Sequence, residues 1–456
     1  SHMSKKAFFT MNISMPESIS ISPRYCQREE PSVELTRMKR KAPSRRTPSH
    51  PFSLLIKPSS ADCNLACEYC FYLKKAGLYP EQNVHRMSDE VLERLVRGYM
   101  ATDQPVYSFG WQGGEPTLMG VDFFRKATEY QQRYGKPGAR VANGLQTNAT
   151  LVDDELAAHL GEYQFLVGVS IDGPAELHDA YRRTRADKPS HHLVMRGVER
   201  LRRHQVEVNV LVLVSQANVR HAAEVYRYLK AEGFNYMQFI PCVEFMPDGS
   251  ISDFSITGPE WGSFLNDVYD EWYPSDVRTV SIRHHDALVA FFLDGSRHMC
   301  TMGGKCDAYF VVEHNGDIYP CDFFVEPELK VGNVANDDWA ALEGRPVRNK
   351  FAVRKSSWIE ACTSCPHLPY CSGDCIKHRE HAPEGDGSWL CAGWRAFYGH
   401  AVPGLRELAA DVAAERGSGA PLWDPLSWDP DAPCYCGSGK KARNCHLRVR
   451  FVRETA

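Results

Sequence analysis

The sequence predicts an α/β protein built of parallel β/α units, followed by a cysteine-rich domain and a small zinc-binding module. Three observations lead to this prediction. Strand-like apolar runs alternate six times with amphipathic segments in the first part of the chain. Eight cysteines then crowd into residues 300–391, and a short cysteine and histidine group lies near the end of the sequence. Six parallel units fit either an incomplete barrel or an open parallel sheet.

The composition indicates a globular protein of two or three domains. The chain has 456 residues, of which 43% are hydrophobic and 24% charged. Its net charge of -4 argues against a nucleic-acid or membrane-surface binder. Residues 1–50 are basic and rich in Ser and Pro, so we expect a flexible extension there. We identify neither a secretory signal nor a spanning segment, and the 16 cysteines favour metal binding in a reducing, cytoplasmic setting.

The predicted elements follow from apolar periodicity. Runs rich in β-branched residues predict six strands, at 52–57, 106–112, 140–147, 164–171, 206–214 and 236–241. Stripes of helical spacing predict helices at 88–100, with Ser88 as N-cap, and at 153–162, 192–204 and 221–233. Periodicity fades after about residue 295, apart from a predicted helix at 400–417.

Three cysteines follow the first predicted strand in a C-x3-C-x2-C pattern: Cys63, Cys67 and Cys70. Thiolates are the ligands of iron–sulfur clusters, and a [4Fe–4S] cluster usually takes four of them. Three protein ligands would leave one iron open to a small molecule. A zinc site is the alternative, although zinc sites usually show paired C-x2-C units.

Polar and glycine residues stand where the next three strands end. The carboxyl ends of parallel strands meet at one edge, so these residues predict a shared site. They are Gln112, Gly113, Gly114 and Glu115 after the second strand, Gln146 and Asn148 at the third, and Ser170 and Asp172 at the fourth.

The later cysteines form two sets. Eight thiols suffice for two four-ligand sites, which spacing alone leaves open between zinc and iron–sulfur clusters; they are Cys300, Cys306, Cys321, Cys362, Cys365, Cys371, Cys375 and Cys391. The last set suits a closed tetrahedral zinc site and consists of Cys434, Cys436, Cys445 and His446.

The C-x3-C-x2-C loop with flanking aromatic residues, together with the GGEP segment at 113–116, resembles the radical S-adenosylmethionine (SAM) enzymes. The resemblance implies a partial (β/α)6 barrel over residues 51–290, with SAM at the open iron of a [4Fe–4S] cluster. Reductive cleavage of SAM would give a 5′-deoxyadenosyl radical. The implied cofactor-binding residues are Gly113, Gly114, Glu115, Ser170, Asp172 and Arg185.

The second cysteine region resembles the SPASM extension, here residues 291–415, which carries two auxiliary [4Fe–4S] clusters. By that resemblance the first cluster is held by Cys300, Cys306, Cys321 and Cys375. The second is held by Cys362, Cys365, Cys371 and Cys391. A linker at 416–432 then leads to residues 433–456, which resemble the SEC-C motif, a small zinc module thought to mediate interactions.

Segments 178–201, 209–241 and 314–334 resemble the anaerobic sulfatase-maturating enzymes. The resemblance implies oxidation of a Cys or Ser in a sulfatase C/S-x-P-x-R motif to Cα-formylglycine. It implies Asp322 as the catalytic base and places Tyr72, Gln112, Gln146 and Asn148 near the peptide or SAM. The expected partners are a sulfatase polypeptide and an electron donor such as flavodoxin or ferredoxin.

Two other hypotheses remain at this point. One is a radical SAM/SPASM enzyme that makes a thioether, a crosslink or an epimer in a ribosomal peptide. The other is a zinc-rich scaffold without catalysis, which iron and sulfide analysis would distinguish from an enzyme.

Overall fold

The structure, a computed structural model, describes residues 19–20, 51–417, 422–425, 428–435 and 439–446. Most of the predicted N-terminal extension therefore lies outside the described residues. Within it, Ile19–Ser20 pairs antiparallel with Arg140 and Val141.

One sheet of eleven strands organises the described residues, in the order β11-β10-β9-β2-β3-β4-β5-β6-β7-β8, with β1 beside β4. The strands are β1 (Ile19–Ser20), β2 (Ser53–Lys57), β3 (Tyr107–Trp111), β4 (Arg140–Thr147), β5 (Leu166–Ser170), β6 (Glu207–Val214), β7 (Tyr236–Pro241), β8 (Ser281–Ile282), β9 (Tyr309–Glu313), β10 (Asp317–Tyr319) and β11 (Gly332–Asn333). Neighbouring strands from β2 to β8 are parallel, as in the predicted partial barrel.

Helices connect and cover these strands: α1 (Asp89–Met100), α2 (Val121–Tyr134), α3 (Asp154–Glu162), α4 (Ala175–His178), α5 (His191–Arg203), α6 (Ala222–Ala231), α7 (Gly258–Trp272), α8 (Arg283–Asp294), α9 (Trp339–Glu343), α10 (Pro346–Arg354), α11 (Glu360–Thr363), α12 (Leu368–Cys371) and α13 (Cys391–Glu415). Ser88 caps α1 as predicted, because its side chain accepts from the backbone N–H of Val91. In the described part of the chain, no helix combines the length and apolar character needed to cross a membrane.

The sheet also extends into the cysteine-rich region. Strand β9 pairs in parallel with β2, so that Lys57 is opposite Glu313. The antiparallel hairpin from β9 to β10 leads to Cys321, and the next residue, Asp322, contacts Lys57 and Gln112 at the carboxyl ends of β2 and β3. The two predicted domains therefore share one sheet.

Helix α13 is longer than the helix predicted at 400–417, and the predicted start at residue 400 was wrong. It begins at Cys391 and includes Pro403. Proline removes a backbone donor and is usually found in the first helical turn, so the pattern around 403 suggested a late start. Packing against α7 stabilises the added turns, because Gly393 lies in backbone contact with Gly258 and Gly262.

We predict that Gly393→Ala lowers the free energy of unfolding by about 1–3 kcal/mol through overpacking. A Cβ at this position would lie 2.1 Å from the carbonyl oxygen of Gly258. The matched control is Gly399→Ala on the same helix, where a Cβ meets nothing within 4 Å. This control should raise the thermal midpoint slightly, since alanine favours helix. Equal midpoints for both variants in calorimetry would contradict the packing argument.

Candidate functional site

The first cysteine loop lies at the carboxyl ends of the barrel strands, as expected. Burial raises the pKa of the Cys63 thiol to about 12 and that of Cys67 to about 11, and the charges of the three thiols act on one another. Asn148 donates to Asn64 at 2.9 Å and lies 3.7 Å from Cys63 Sγ. Three cysteines grouped in one loop fit the ligand set of an iron–sulfur cluster.

The GGEP segment packs directly against this loop. A Cβ on Gly114 would lie 2.0 Å from the carbonyl oxygen of Asp62, and one on Gly113 would lie 2.8 Å from that of Ser60. The backbone N–H of Glu115 also donates to Asp62. The two glycines thus allow close contact between the strand end and the cysteine loop, a role that the sequence analysis did not assign to them.

Glu115 is a buried carboxylate beside the same loop. Its Oε1 accepts from the backbone N–H and hydroxyl of Thr117 and from the hydroxyl of Thr147, and its Oε2 accepts from the backbone N–H of Asn148. Burial raises the pKa of Glu115, while these donors act in the opposite direction. Since Oε2 accepts only one of these bonds, it has capacity for a ligand ammonium group.

After β5, Asp172 accepts hydrogen bonds from three partners that the sequence analysis did not identify. It accepts from Arg182 Nε at 2.8 Å, from the Tyr69 hydroxyl and from the backbone N–H of Leu213. The Arg182 guanidinium also acts electrostatically on Cys67. Arg185, which the family resemblance assigns to SAM, lies three residues further along the same arginine-rich stretch.

The remaining predicted residues lie around the same edge. Arg185 is exposed and donates to the carbonyl of Cys63 at 2.7 Å. Gln146 is half-buried on β4, and Ser170 is buried at the end of β5.

Asp322 follows Cys321 and faces the barrel. It lies between the first cysteine loop, which contains Cys70, and the later cysteine set, which contains Cys321. Gln112 donates to its Oδ2 at 3.2 Å, and the Tyr309 hydroxyl donates to its Oδ1 at 3.3 Å. The same Tyr309 hydroxyl lies 3.4 Å from Cys321 Sγ. The side chain is mostly buried, with 14% exposure.

Lys57 contacts residues next to both cysteine groups, namely Asp322, which follows Cys321, and Tyr72, which lies two residues after Cys70. Its ammonium lies 3.7 Å from Asp322 Oδ2 and 4.3 Å from the centre of the Tyr72 ring. Burial lowers the pKa of Lys57, whereas Asp322, Glu313 and the thiolates of the two neighbouring cysteine groups act in the opposite direction. The Tyr72 hydroxyl donates to Glu313. Lys57 ends the strand run FSLLIK, so the rule used for the other strand ends would have identified it.

The later cysteines come together in the predicted sets. Electrostatic interactions link Cys300 to Cys306 and Cys375, and Cys321 to Cys375. The other set lines one cavity and consists of Cys362, Cys365, Cys371 and Cys391. Gly387 lies close to this set, because a Cβ added there would be 2.2 Å from Cys362 Sγ. Two groups of four thiols fit two complete cluster sites.

A buried lysine, Lys355, lies near Cys306 and Cys375 of the first auxiliary ligand set. Its ammonium donates to the carbonyl oxygens of Thr301, at 2.9 Å, and of Asp374. Burial lowers the pKa of Lys355, while the charges of Asp374 and of the Cys306 and Cys375 thiolates raise it. A buried cation offsets the negative charge that four thiolates bring to a cluster site.

Comparison with known proteins agrees with this geometry. Residues 58–229 match the Radical SAM superfamily, and residues 300–366 match SPASM, an iron-sulfur cluster-binding domain. A serine-type anaerobic sulfatase-maturating enzyme of Bacteroides thetaiotaomicron is 36% identical over 77% of this chain and 90% of its own length. A cysteine-type enzyme of Clostridium perfringens is 34% identical over 79% of this chain and 99% of its own.

A solved structure, native anSMEcpe with bound AdoMet and Cp18Cys peptide, is similar along most of the chain. Its TM-score is 0.73 at 34% identity, and the match covers 80% of this chain and all of that one.

We predict that Lys355→Met makes the reduction potential of one auxiliary cluster more negative, namely the cluster expected at Cys300, Cys306, Cys321 and Cys375. Loss of a buried positive charge a few ångströms away should shift it by on the order of 50–100 mV. The matched control is Lys350→Met, an exposed position on α10. An EPR-monitored redox titration measures the potential in both variants. An unchanged potential in the Lys355 variant would show that this lysine has no electrostatic effect on the cluster.

Proposed function

Because the chain belongs to the anaerobic sulfatase-maturating enzymes of the radical SAM superfamily, we propose that it oxidises a Cys or Ser of a sulfatase to Cα-formylglycine. The target residue would lie in a C/S-x-P-x-R segment of the sulfatase. An electron donor such as flavodoxin or ferredoxin would reduce the first cluster.

One observation carries the proposal: a hydrogen-bonded carboxylate, Asp322, lies between the first cysteine loop and the ligand set of an auxiliary cluster. Oxidation of an alcohol or thiol removes a hydrogen atom, a proton and an electron. A base beside an electron acceptor and a radical source meets all three requirements.

The residues that would hold the cofactors follow from the site. Cys63, Cys67 and Cys70 would bind the SAM-cleaving cluster, and the two later sets of four thiols would bind the auxiliary clusters. We assign the SAM ammonium group to Glu115 Oε2. Gly113, Gly114, Ser170, Asp172 and Arg185 form the edge around it, and Arg182 adds a buried positive charge beside Cys67.

When bound, SAM and the clusters supply the radical that abstracts the Cβ hydrogen and the acceptor for the remaining electron. Asp322 Oδ2 would accept the proton of the substrate thiol or hydroxyl. A serine target then gives the aldehyde directly, whereas a cysteine target gives a thioaldehyde that water hydrolyses to the aldehyde with release of hydrogen sulfide. Gln112 and Tyr309 orient the carboxylate, and the Lys57 ammonium lies 3.7 Å from its Oδ2. We assign contacts with the peptide or SAM to Tyr72, Gln146 and Asn148, as the family resemblance implies.

A cavity of about 490 Å³ beside Asp322 offers a place for the peptide. Phe71, which follows Cys70, and Phe323, which follows Asp322, form its inner wall, with ring centres 4.8 Å apart. Glu244, Glu326, Lys75 and Lys377 also line this cavity. Glu244 forms an ion pair with Lys377, whereas Glu326 is exposed and interacts with Lys75, so we assign the arginine of C/S-x-P-x-R to Glu326.

The decisive test is anaerobic turnover of two peptides that contain C-x-P-x-R or S-x-P-x-R, with mass spectrometry as the readout. We expect an aldehyde at the target position in at least one peptide and none in a control peptide with alanine there. SAM cleavage with both peptides left intact would reject sulfatase maturation and favour modification of another peptide.

Asp322→Asn should lower the rate of aldehyde formation by about 10²–10⁴-fold, the usual contribution of a general base. Formation of 5′-deoxyadenosine should continue, because the three-cysteine loop is unchanged. Asp307→Asn is the control, since Asp307 likewise directly follows a predicted cluster ligand, Cys306. A normal product rate in the Asp322 variant would show that another group accepts the proton.

Glu326→Gln should raise the KM for a C-x-P-x-R peptide by roughly two- to fivefold, the effect of losing one exposed ion pair. For a peptide with alanine in place of the arginine, the variant and the wild type should have similar KM values. Glu328→Gln provides the control, because Glu328 is exposed on the same loop but does not line the cavity. An equal KM change for both peptides would refute the assignment.

A further inference from the structure

Near the end of the chain, Cys434, Cys445 and His446 are buried together, and their ligand atoms lie within 4.8 Å of one another. His446 Nδ1 is 3.4 Å from each of the two sulfur atoms. Zinc bonds of about 2.3 Å to sulfur and 2.0 Å to nitrogen, at tetrahedral angles, require an N–S separation of about 3.5 Å. The fourth predicted ligand, Cys436, lies outside the described residues.

The other nitrogen of the same imidazole points into the cysteine-rich domain. His446 Nε2 lies 2.9 Å from Ser372 Oγ, and that hydroxyl donates to the carbonyl of Met302 at 2.8 Å. Ligation through Nδ1 leaves Nε2–H to donate to Ser372, the arrangement by which outer hydrogen bonds fix a metal-bound histidine. Ser372 directly follows Cys371, and Met302 lies between Cys300 and Cys306.

Ser372 also begins a strained turn. The φ angles of Ser372, Gly373 and Asp374 are +49°, +71° and +59°, so three successive residues are left-handed. Such angles are costly for Ser and Asp, and the surroundings must hold them. This turn joins Cys371 of one ligand set to Cys375 of the other.

Further contacts dock the C-terminal segment onto the same domain. Lys440 donates to the carbonyl of Ser356 at 2.7 Å, and the Trp358 ring meets the His446 ring edge-on at 4.7 Å. Trp358 in turn donates to the carbonyl of Ser372. Trp423 packs on Phe291 of α8, with ring centres 4.8 Å apart.

We propose that zinc held by Cys434, Cys445 and His446 is an internal brace of the auxiliary-cluster domain. The brace acts through His446 and Ser372 on the turn that connects the two cluster sites. Its ligand is a divalent zinc ion, and its role is to slow the loss of the auxiliary clusters. The proposal is independent of the substrate that the enzyme oxidises.

The first experiment measures metals in the full-length, anaerobically reconstituted protein. The wild type should contain about one zinc and about twelve irons per chain. Cys445→Ser should lose the zinc and shed iron from the auxiliary sites faster than the wild type, while 5′-deoxyadenosine formation persists. Wild-type protein without zinc, or a zinc-free variant with normal iron retention, would overturn the proposal.

The second experiment tests the connection and does not depend on the folding of the first variant. Ser372→Ala and Ser372→Gly both remove the hydroxyl, but only glycine relieves the left-handed strain. Both should keep zinc and release auxiliary iron to a chelator about two- to tenfold faster, the range expected for one lost hydrogen bond. Ser364→Ala is the control, because the Ser364 hydroxyl bonds only nearby carbonyls of its own helix.

Two results would contradict this connection. Wild-type iron retention in Ser372→Ala, which keeps the left-handed strain and loses only the hydroxyl, would show that the hydrogen bond to His446 does not hold the clusters. Equal acceleration at the SAM-cleaving cluster, seen as a parallel loss of 5′-deoxyadenosine formation, would indicate general destabilisation.

Discussion

The parallel pairing of β2 with β9 is the contact on which the site depends. It joins Ser53–Lys57 of the barrel to Tyr309–Glu313 of the cysteine-rich region, residue by residue. A slip by one residue would turn Glu313 to the opposite face of the sheet and separate it from Tyr72. The same slip would move Tyr309, at the start of β9, away from Asp322. The hydrogen-bond register of two strands therefore sets the distance between the SAM-cleaving site and an auxiliary cluster.

Two buried lysines show how the protein accommodates its negative charge. Lys57 and Lys355 each have their ammonium group among thiols and carboxylates, and burial lowers the pKa of both. A lysine of this kind is unfavourable in an empty site, because desolvation opposes its charge. The anionic clusters proposed here would reverse that balance. Lysine and cluster would then stabilise each other, which couples folding of the domain to cluster assembly.

Much of this arrangement could be predicted from local sequence. The barrel strands and the cysteine loop follow from apolar periodicity and residue spacing, which are local signals. The pairing of β2 with β9 joins residues more than 250 positions apart, and no local pattern encodes it. Arg182 was missed for a similar reason, since only the fold shows that it meets Asp172. The start of α13 was missed because its early turns depend on the glycine contact with α7.

Some residues of the cysteine-rich domain, such as Trp339 and Phe397, join the main core, but the apolar clusters outside that core are small. One consists of Phe324, Phe351 and Ile376, and another of Cys362 and Leu368. Clusters of this size bury too little area to balance the chain entropy of so many turns. The order must come from the shared sheet, from metal ligation and from contacts with neighbouring segments. A strained turn between two ligand sets is the place where an added contact has most effect, because its movement would disturb both sets at once. The C-terminal segment meets the domain at that turn.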